Sequence, residues 1–167
     1  MAKKMLQVIP RELEYTPAGG TAVTFTDFAD PVAFTFEVTY GDIASQSSDY
    51  VIGKMLTGRK ASLKAVVNNF DLAQLAAITS GVASDYAAAT DTLSGKAGSF
   101  KINEGAVVFT GYDTAEGKEV TITLHRASAI TTGDLSFGKD QEARVGLQFD
   151  AMKTDTGDVW TIAYATV

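Results

Sequence analysis

Three stretches of the chain alternate apolar and polar residues with the period of a β-strand that keeps one face in a core. In PVAFTFEVTY the apolar series is Val32, Phe34, Phe36, Val38 and Tyr40, set against Ala33, Thr35, Glu37 and Thr39. KEVTITLHR repeats the pattern through Val120, Ile122 and Leu124, and EARVGLQFDAM through Ala143, Val145, Leu147, Phe149 and Ala151. Weaker runs predict strands over 22–26, 60–67, 99–102, 106–112, 129–137 and 159–165. One helix interrupts them. NNFDLAQLAAITSG offers Asn69 as N-cap, Asp71 in the first turn and Gly81 just past the end. Leu72, Leu75, Ala76 and Ile78 form a broad apolar stripe, which predicts a helix lying against a sheet. The pattern therefore predicts a mainly β fold, a β-sandwich or partial barrel with one packed α-helix, in a single domain over residues 1–167.

Two segments carry no regular period. Gly41 to Arg59, GDIASQSSDYVIGKMLTGR, reads as a loop of about 19 residues between two strands, longer than compact domains normally keep without a function. Tyr50, Val51, Ile52, Met55 and Leu56 give it more apolar surface than a solvated loop needs. It either meets a partner or folds back on its own domain. Gly81 to Ser99 is rich in Ala, Ser, Thr and Gly, and reads either as a flexible crossover or as a short helix at Ala83 to Ala89.

Composition narrows the function classes. The chain has 167 residues, enough for one core, and no cysteine, so neither disulfides nor thiolate metal sites hold it together. Fourteen basic against 20 acidic residues give a formal charge of −6, which opposes tight binding to a phosphate backbone. Lys3 and Lys4 are followed by only Met5 to Ile9 before Pro10, too short for a secretory apolar region. Leu72 to Ile78 falls far below the roughly 20 residues that span a bilayer.

Candidate chemistry is sparse. Asp155-Thr156-Gly157 is the tripeptide that bears the catalytic carboxylate of aspartic peptidases, but there it follows apolar strand residues that seclude the acid beside a second one. Here Lys153 and Thr154 precede it and Asp158 follows, so KTDTGD reads as a hairpin turn. His125 is the only histidine and shares a strand face with Thr121 and Thr123. Asp27 with Asp30, and Asp113 with Glu116 and Glu119, lack the spacing of a calcium loop. No P-loop, dinucleotide fingerprint or nucleophile elbow occurs, so no enzymatic activity, metal or cofactor is expected.

Alternating strands with a long semi-apolar segment and no reactive constellation point to work done by surfaces. Strand edges must be covered or paired, and identical subunits in a ring can pair them. The segment Gly117 to Ala163, with its LSFGKD corner, its ARVGLQFDA strand, its Asp/Gly turn and its VWTIA strand, resembles the C-terminal half of tail tube (major tail) proteins of tailed bacteriophages. The strand Pro31 to Tyr40, the long loop, and the strand and helix over Lys60 to Thr79 also match that family's order.

The resemblance implies hexameric rings stacked into a tube, with four strands per subunit completing an inner barrel. It implies a structural virion protein, assembled in the host cytoplasm. Its partners would be sibling copies, the tape measure protein, and terminator and distal tail proteins, with DNA passing through the lumen without specific binding. The loop 41–59 would reach the neighbouring ring through Asp42, Asp49, Tyr50, Ile52, Lys54, Met55, Leu56 and Arg59. The N-terminal arm, Met1 to Tyr15, would help to join subunits. Bore-facing positions, taken from the polar sides of the inner strands, would be Thr35, Glu37, Thr39, Ser62, Lys64, Gln148 and Asp150. The acidity would then suit a neutral or acidic bore, along which DNA slides, with Lys64 and Arg144 set against uniform negative charge. An immunoglobulin-like C-terminal domain, present in some members, is not expected past Val167. Competing readings are the tube of a contractile injection or type VI secretion machine, a ligand-binding β-sandwich, and a peptidase using Asp155.

Overall fold

A computed structural model of the chain describes residues 8–44, 51–78, 86–94, 103–131, 136–138 and 141–165. Among them the strands are β1 (Val8–Pro17), β2 (Val23–Phe25), β3 (Ala33–Ala44), β4 (Val51–Asn68), β5 (Tyr86–Ala87), β6 (Thr92–Leu93), β7 (Glu104–Asp113), β8 (Lys118–Thr131), β9 (Ser136–Gly138), β10 (Gln141–Ala151) and β11 (Trp160–Tyr164), with one helix, α1 (Leu72–Ile78). The main sheet is antiparallel in the order β2-β1-β7-β8-β10-β4-β3, with β11 also paired to β8 and β9 to β10. β5 and β6 form a separate small hairpin.

The sheet curls until its own core face meets itself. β1 and β10 are separated by β7 and β8, yet the rings of Tyr15 and Phe149 stack across the core at 5.4 Å. The two ends of the sheet also approach one another. Phe28, just past β2, bridges to Val67 of β4, where Ala29 donates to the Val66 carbonyl at 2.8 Å and Asn68 to the Asp27 carbonyl at 3.0 Å. The result is a β-sandwich or partial barrel that is not closed. Leu13, Tyr15, Leu63, Val67, Val107, Leu124, Leu147 and Phe149 fill its core. Burying each such large apolar side chain contributes roughly 1.5–3 kcal/mol before chain entropy is counted. The alternation over 32–40, 118–126 and 142–152 thus marks strands as predicted; the apolar rows of β8 and β10 face inward, and that of β3 is covered only at its start.

The remaining elements differ from the sequence pattern for identifiable reasons. The helix is capped by Asp71, not Asn69. Asp71 Oδ1 accepts from the Gln74 amide at 2.6 Å, and Gln74 Oε1 accepts from the Asp71 amide at 2.9 Å, a reciprocal capping box. Asn69 takes a left-handed backbone, φ 54°, in the turn that precedes it. Leu75 and Ile78 are the buried side chains of the stripe, and Gln74 Nε2 ties the helix to the Thr24 carbonyl of β2 at 2.9 Å. Residues 118–126 and 129–131 belong to one strand, β8. A bulge against Ala106 of β7 places His125 and Arg126 consecutively and breaks the period. The predicted strand 129–137 is therefore divided, its last residues lying in β9.

Residues 8–15 are not a free arm. They lie in β1, hydrogen-bonded to β7 along most of its length, and only 1–7 fall outside the described residues. Pro10 argues against a central strand, but the ladder shifts register between Pro10 and Glu12, and that bulge accommodates the missing N–H. Gly105 and Gly111 of β7 make the close approach to β1 possible. A Cβ on Gly105 would overlap the Thr16 carbonyl and the Tyr15 ring, and one on Gly111 would overlap Val8. Residues 86–89 of the predicted helix 83–89 lie in the β5–β6 hairpin; 83–85 and the predicted strand 99–102 fall outside the described residues.

Candidate assembly surface

The segment 41–59 is not a loop. It is the outer part of a long β3–β4 hairpin, paired from Ala33↔Lys64 to Ala44↔Val51, with only 45–50 outside the described residues. Two register shifts explain why its sequence looks irregular: the pairing passes from Thr39↔Gly58 to Tyr40↔Leu56, and from Ile43↔Gly53 to Ala44↔Val51. β4 therefore carries extra residues at Thr57 and Ile52, and each bulge inverts the apolar–polar alternation. The Thr57 hydroxyl donates to the Thr39 carbonyl at 3.0 Å and fixes the first bulge.

β10 pairs with β4 only from Asn68 to Ser62. Beyond Ser62, the edge of β4 opposite β3 has no partner strand among the described residues, and the hairpin continues as a projecting arm. The core-facing row does not stop where the cover stops. Register places Leu63 across from Phe34, Ala61 across from Phe36, Arg59 across from Val38 and Leu56 across from Tyr40. Phe34 and Phe36 still pack edge-on against Trp160, at 5.4 and 5.6 Å. Farther out the row is bare: Tyr40 is 58% and Leu56 42% exposed, and on the opposite face Met55 is 58% and Ile43 43% exposed.

The sequence-predicted contact residues divide accordingly. Asp42, Lys54, Met55, Leu56 and Arg59 are exposed on the arm. The backbone of Ile52 forms the outer bulge, while Asp49 and Tyr50 lie outside the described residues.

The seven positions assigned to the bore fall on one continuous surface. Thr35, Glu37 and Thr39 of β3, Ser62 and Lys64 of β4, and Gln148 and Asp150 of β10 all point away from the core. Cross-strand register links Thr35 to Ser62, Ser62 to Asp150, and Lys64 to Gln148. Gln148 Nε2 donates to Asp150 Oδ1 at 2.8 Å. Sequence reasoning set Arg144 against a uniformly negative bore but missed how the same face continues through Lys60 to Glu104 and Arg126. Arg126 Nε and Nη2 donate to Glu104 Oε2 at 2.9 and 2.6 Å. The face therefore holds Glu37, Glu104 and Asp150 against Lys60, Lys64, Arg126 and Arg144. It is mixed in charge and does not carry the net acidity of the chain. Only pairing across strands, which alternation cannot report, collects these residues.

The residues screened for chemistry have local roles. Asp155 is exposed in a turn closed by the Gly157 amide on the Thr154 carbonyl at 3.0 Å, with Gly157 at φ 94°. Thr156 Oγ1 donates to Asp158 Oδ2 at 2.9 Å, so the tripeptide is a turn as expected. It is not a hairpin, however. β10 and β11 do not pair; they follow one another along the same edge of β8, and 152–159 is an excursion that leaves that edge and rejoins it. Met152 donates to the Arg126 carbonyl at 2.7 Å where it leaves, and His125 to the Val159 carbonyl at 3.1 Å where it returns.

His125 is exposed, its Nε2 2.8 Å from Thr161 Oγ1. Asp113 is fully buried at the end of β7. Its Oδ1 accepts from the Ala115 and Glu116 amides at 2.9 and 3.3 Å, and its Oδ2 from the Tyr164 hydroxyl at 3.0 Å, which ties β11 to the β7–β8 turn. Burial and that carboxylate push the Tyr164 hydroxyl above its ordinary pKa. Among the described residues no group of three or more His, Cys, Asp or Glu side chains is placed to hold a metal, and no helix is long and apolar enough to cross a membrane.

No protein-family model and no curated protein matches the chain. Among solved structures it is similar to a chain of the anti-feeding prophage baseplate, determined by cryo-electron microscopy with six-fold symmetrisation. The two chains share 13% identity over 99% of this chain and 95% of that one, with a TM-score of 0.47.

Proposed function

We propose that this chain is the tube subunit of a phage tail, polymerising as stacked hexameric rings into the hollow conduit through which DNA leaves the particle. The observation that carries the reading is the core-patterned row running from Phe34 through Phe36 and Val38 to Tyr40, with Leu56 beside it, onto an arm that no other described residues cover. A sheet face built with core alternation is stable when another layer covers it. The edges of β3, of outer β4 and of β11, which have no partner strand among the described residues, are a second incomplete feature, and pairing them between siblings completes a barrel around the bore. The resemblance of Gly117 to Ala163 to tail tube proteins supports the same assignment.

The polar face of β3, β4 and β10 then lines the bore. Its cations are interspersed with Glu37, Glu104 and Asp150, so passing phosphates meet no continuous cationic track and little counterion release holds them. In this reading the protein acts by shape and performs no chemistry.

Sedimentation velocity across a concentration series tests the proposal against a variant in which residues 39–58 are replaced by Asn-Gly, a two-residue hairpin turn joining Val38 to Arg59. The full chain is expected to form large species with rising concentration, while the shortened chain keeps its fold and stops at single rings or monomers. A shortened chain that polymerises like the full one refutes the stacking role of the arm.

A further inference from the structure

The arm lies at one end of β3, and a groove of about 620 Å³ lies at the other. The groove is framed by the start of β1, through Val8, Ile9 and Pro10, and by residues 26–31, which immediately precede β3. At about 3.3 Å per residue, Tyr40 on the arm stands ~23 Å along the strand from Ala33, the end of β3 beside the groove. Arm and groove are different surfaces at opposite ends of one molecule. Contact between such surfaces is heterologous, leaves one arm and one groove free after every addition, and so repeats without limit.

Their chemistry matches. Ile9 is 51% exposed, the largest uncovered apolar side chain among the described residues away from the hairpin. Register with Tyr112 sets Ile9 on the outer face of β1, at the rim of the groove. The inward-facing Val8 and Pro10 with Phe28, all half-buried, give the groove its apolar floor for Tyr40 and Leu56. Asp27 and Asp30 line the groove, while the nearby guanidinium of Arg11 is held elsewhere, 3.7 Å from Glu119 and 4.7 Å above the Tyr112 ring. On the arm the outermost described cation is Lys54. Asp42 stands across from it in register, and the two carboxylates of the groove outnumber that single acid.

We propose that this groove receives the arm of a second copy of the chain, with Tyr40 and Leu56 over Val8 and Phe28 and Lys54 against Asp27 and Asp30. The inference rests on the stacking reading and names the surface that accepts the arm. Charge reversal tests it. Asp30→Lys and Lys54→Asp alone are each expected to raise the concentration needed for polymerisation about tenfold, the effect of losing one close charge pair. The double reversal is expected to restore most of the loss. A double variant no better than the worse single one overturns the proposal.

Because the chain has no cysteine, proximity can be read independently. Asp30→Cys with Asp42→Cys, which shares the arm face of Tyr40, Leu56 and Lys54, treated with a short bismaleimide after assembly, is expected to give a ladder of covalent multimers, and neither single variant should do so. Rods that form but give no ladder overturn the groove assignment while leaving stacking intact. Dimers from Asp42→Cys alone would show arm-to-arm pairing and also overturn it. A wild-type chain that never polymerises removes the stacking reading itself.

Discussion

Tyr15 offers a stability test whose sign is opposite to that of most core substitutions. Its side chain is wholly buried between β7 and Phe149, and its hydroxyl has no hydrogen-bond partner among the described residues. An unpaired buried hydroxyl costs about 1–3 kcal/mol, whereas losing one oxygen's contacts costs only a few tenths. Tyr15→Phe should therefore stabilise the fold by about 1 kcal/mol at neutral pH, or about 2–4 °C in Tm for a chain of this size.

Alkaline pH enlarges the difference. Burial, reinforced by the negative charge of Glu104, pushes the Tyr15 hydroxyl from 10.0 to about 12. The folded pKa is raised, so the stability linked to this group is complete below pH 10 and is lost as pH rises through 12. Between those values the unfolded chain releases the proton and the folded chain retains it. Wild-type stability should then fall by about 1.4 kcal/mol per pH unit from this group alone. The Phe variant lacks that contribution, and its advantage should roughly double by pH 11. Urea unfolding of both proteins at pH 7 and pH 11 measures it. A Tyr15→Phe protein less stable than wild type at pH 7 would refute the reading of an unpartnered hydroxyl.

Asp113→Ala removes the acceptor of three hydrogen bonds and should destabilise by about 2–4 kcal/mol in urea titrations, with Asp113→Asn costing less because one acceptor oxygen remains. Loss of amide-exchange protection concentrated at β11 would identify the Tyr164 link as the part that fails. Tyr40→Ser with Leu56→Ser should leave monomer stability within about 0.5 kcal/mol, since both side chains are solvent-exposed, yet abolish large species in sedimentation. A stability loss well beyond that would mean the arm's apolar row supports its own chain rather than a partner. Asp155→Asn should change neither stability nor assembly, and a hydrolytic activity that vanishes with it would contradict the turn assignment of Asp155-Thr156-Gly157.

Much of the architecture could be read from alternation because most strands have one buried face. The inward rows of β3, β8 and β10 were visible wherever the ladder was regular. Where it is not, the reading failed for one recurring physical reason, the β-bulge. Single extra residues at Thr57 and Ile52 inverted the pattern of β4 and made a hairpin look like a loop. The doubled position at His125 and Arg126 split β8, and the bulge beside Pro10 concealed β1. The Asp71 cap was hidden because Asn69 is an equally good capping residue by type, and only the Gln74 reciprocity distinguishes them.

The polar face was legible position by position, but not its charge balance. Glu104 and Arg126 join it as an ion pair between strands distant in sequence, and it is Lys60, Lys64 and Arg144 that balance Glu37 and Asp150 across it. That the hairpin projects at all follows from where β10 stops, a tertiary fact with no local signal.

Electron microscopy of the concentrated, negatively stained wild-type protein tests the central claim most directly. Hollow rods whose end-on views are six-fold annuli are the predicted result. Particles that remain single subunits at every concentration, both alone and in the presence of tail assembly factors, would contradict it.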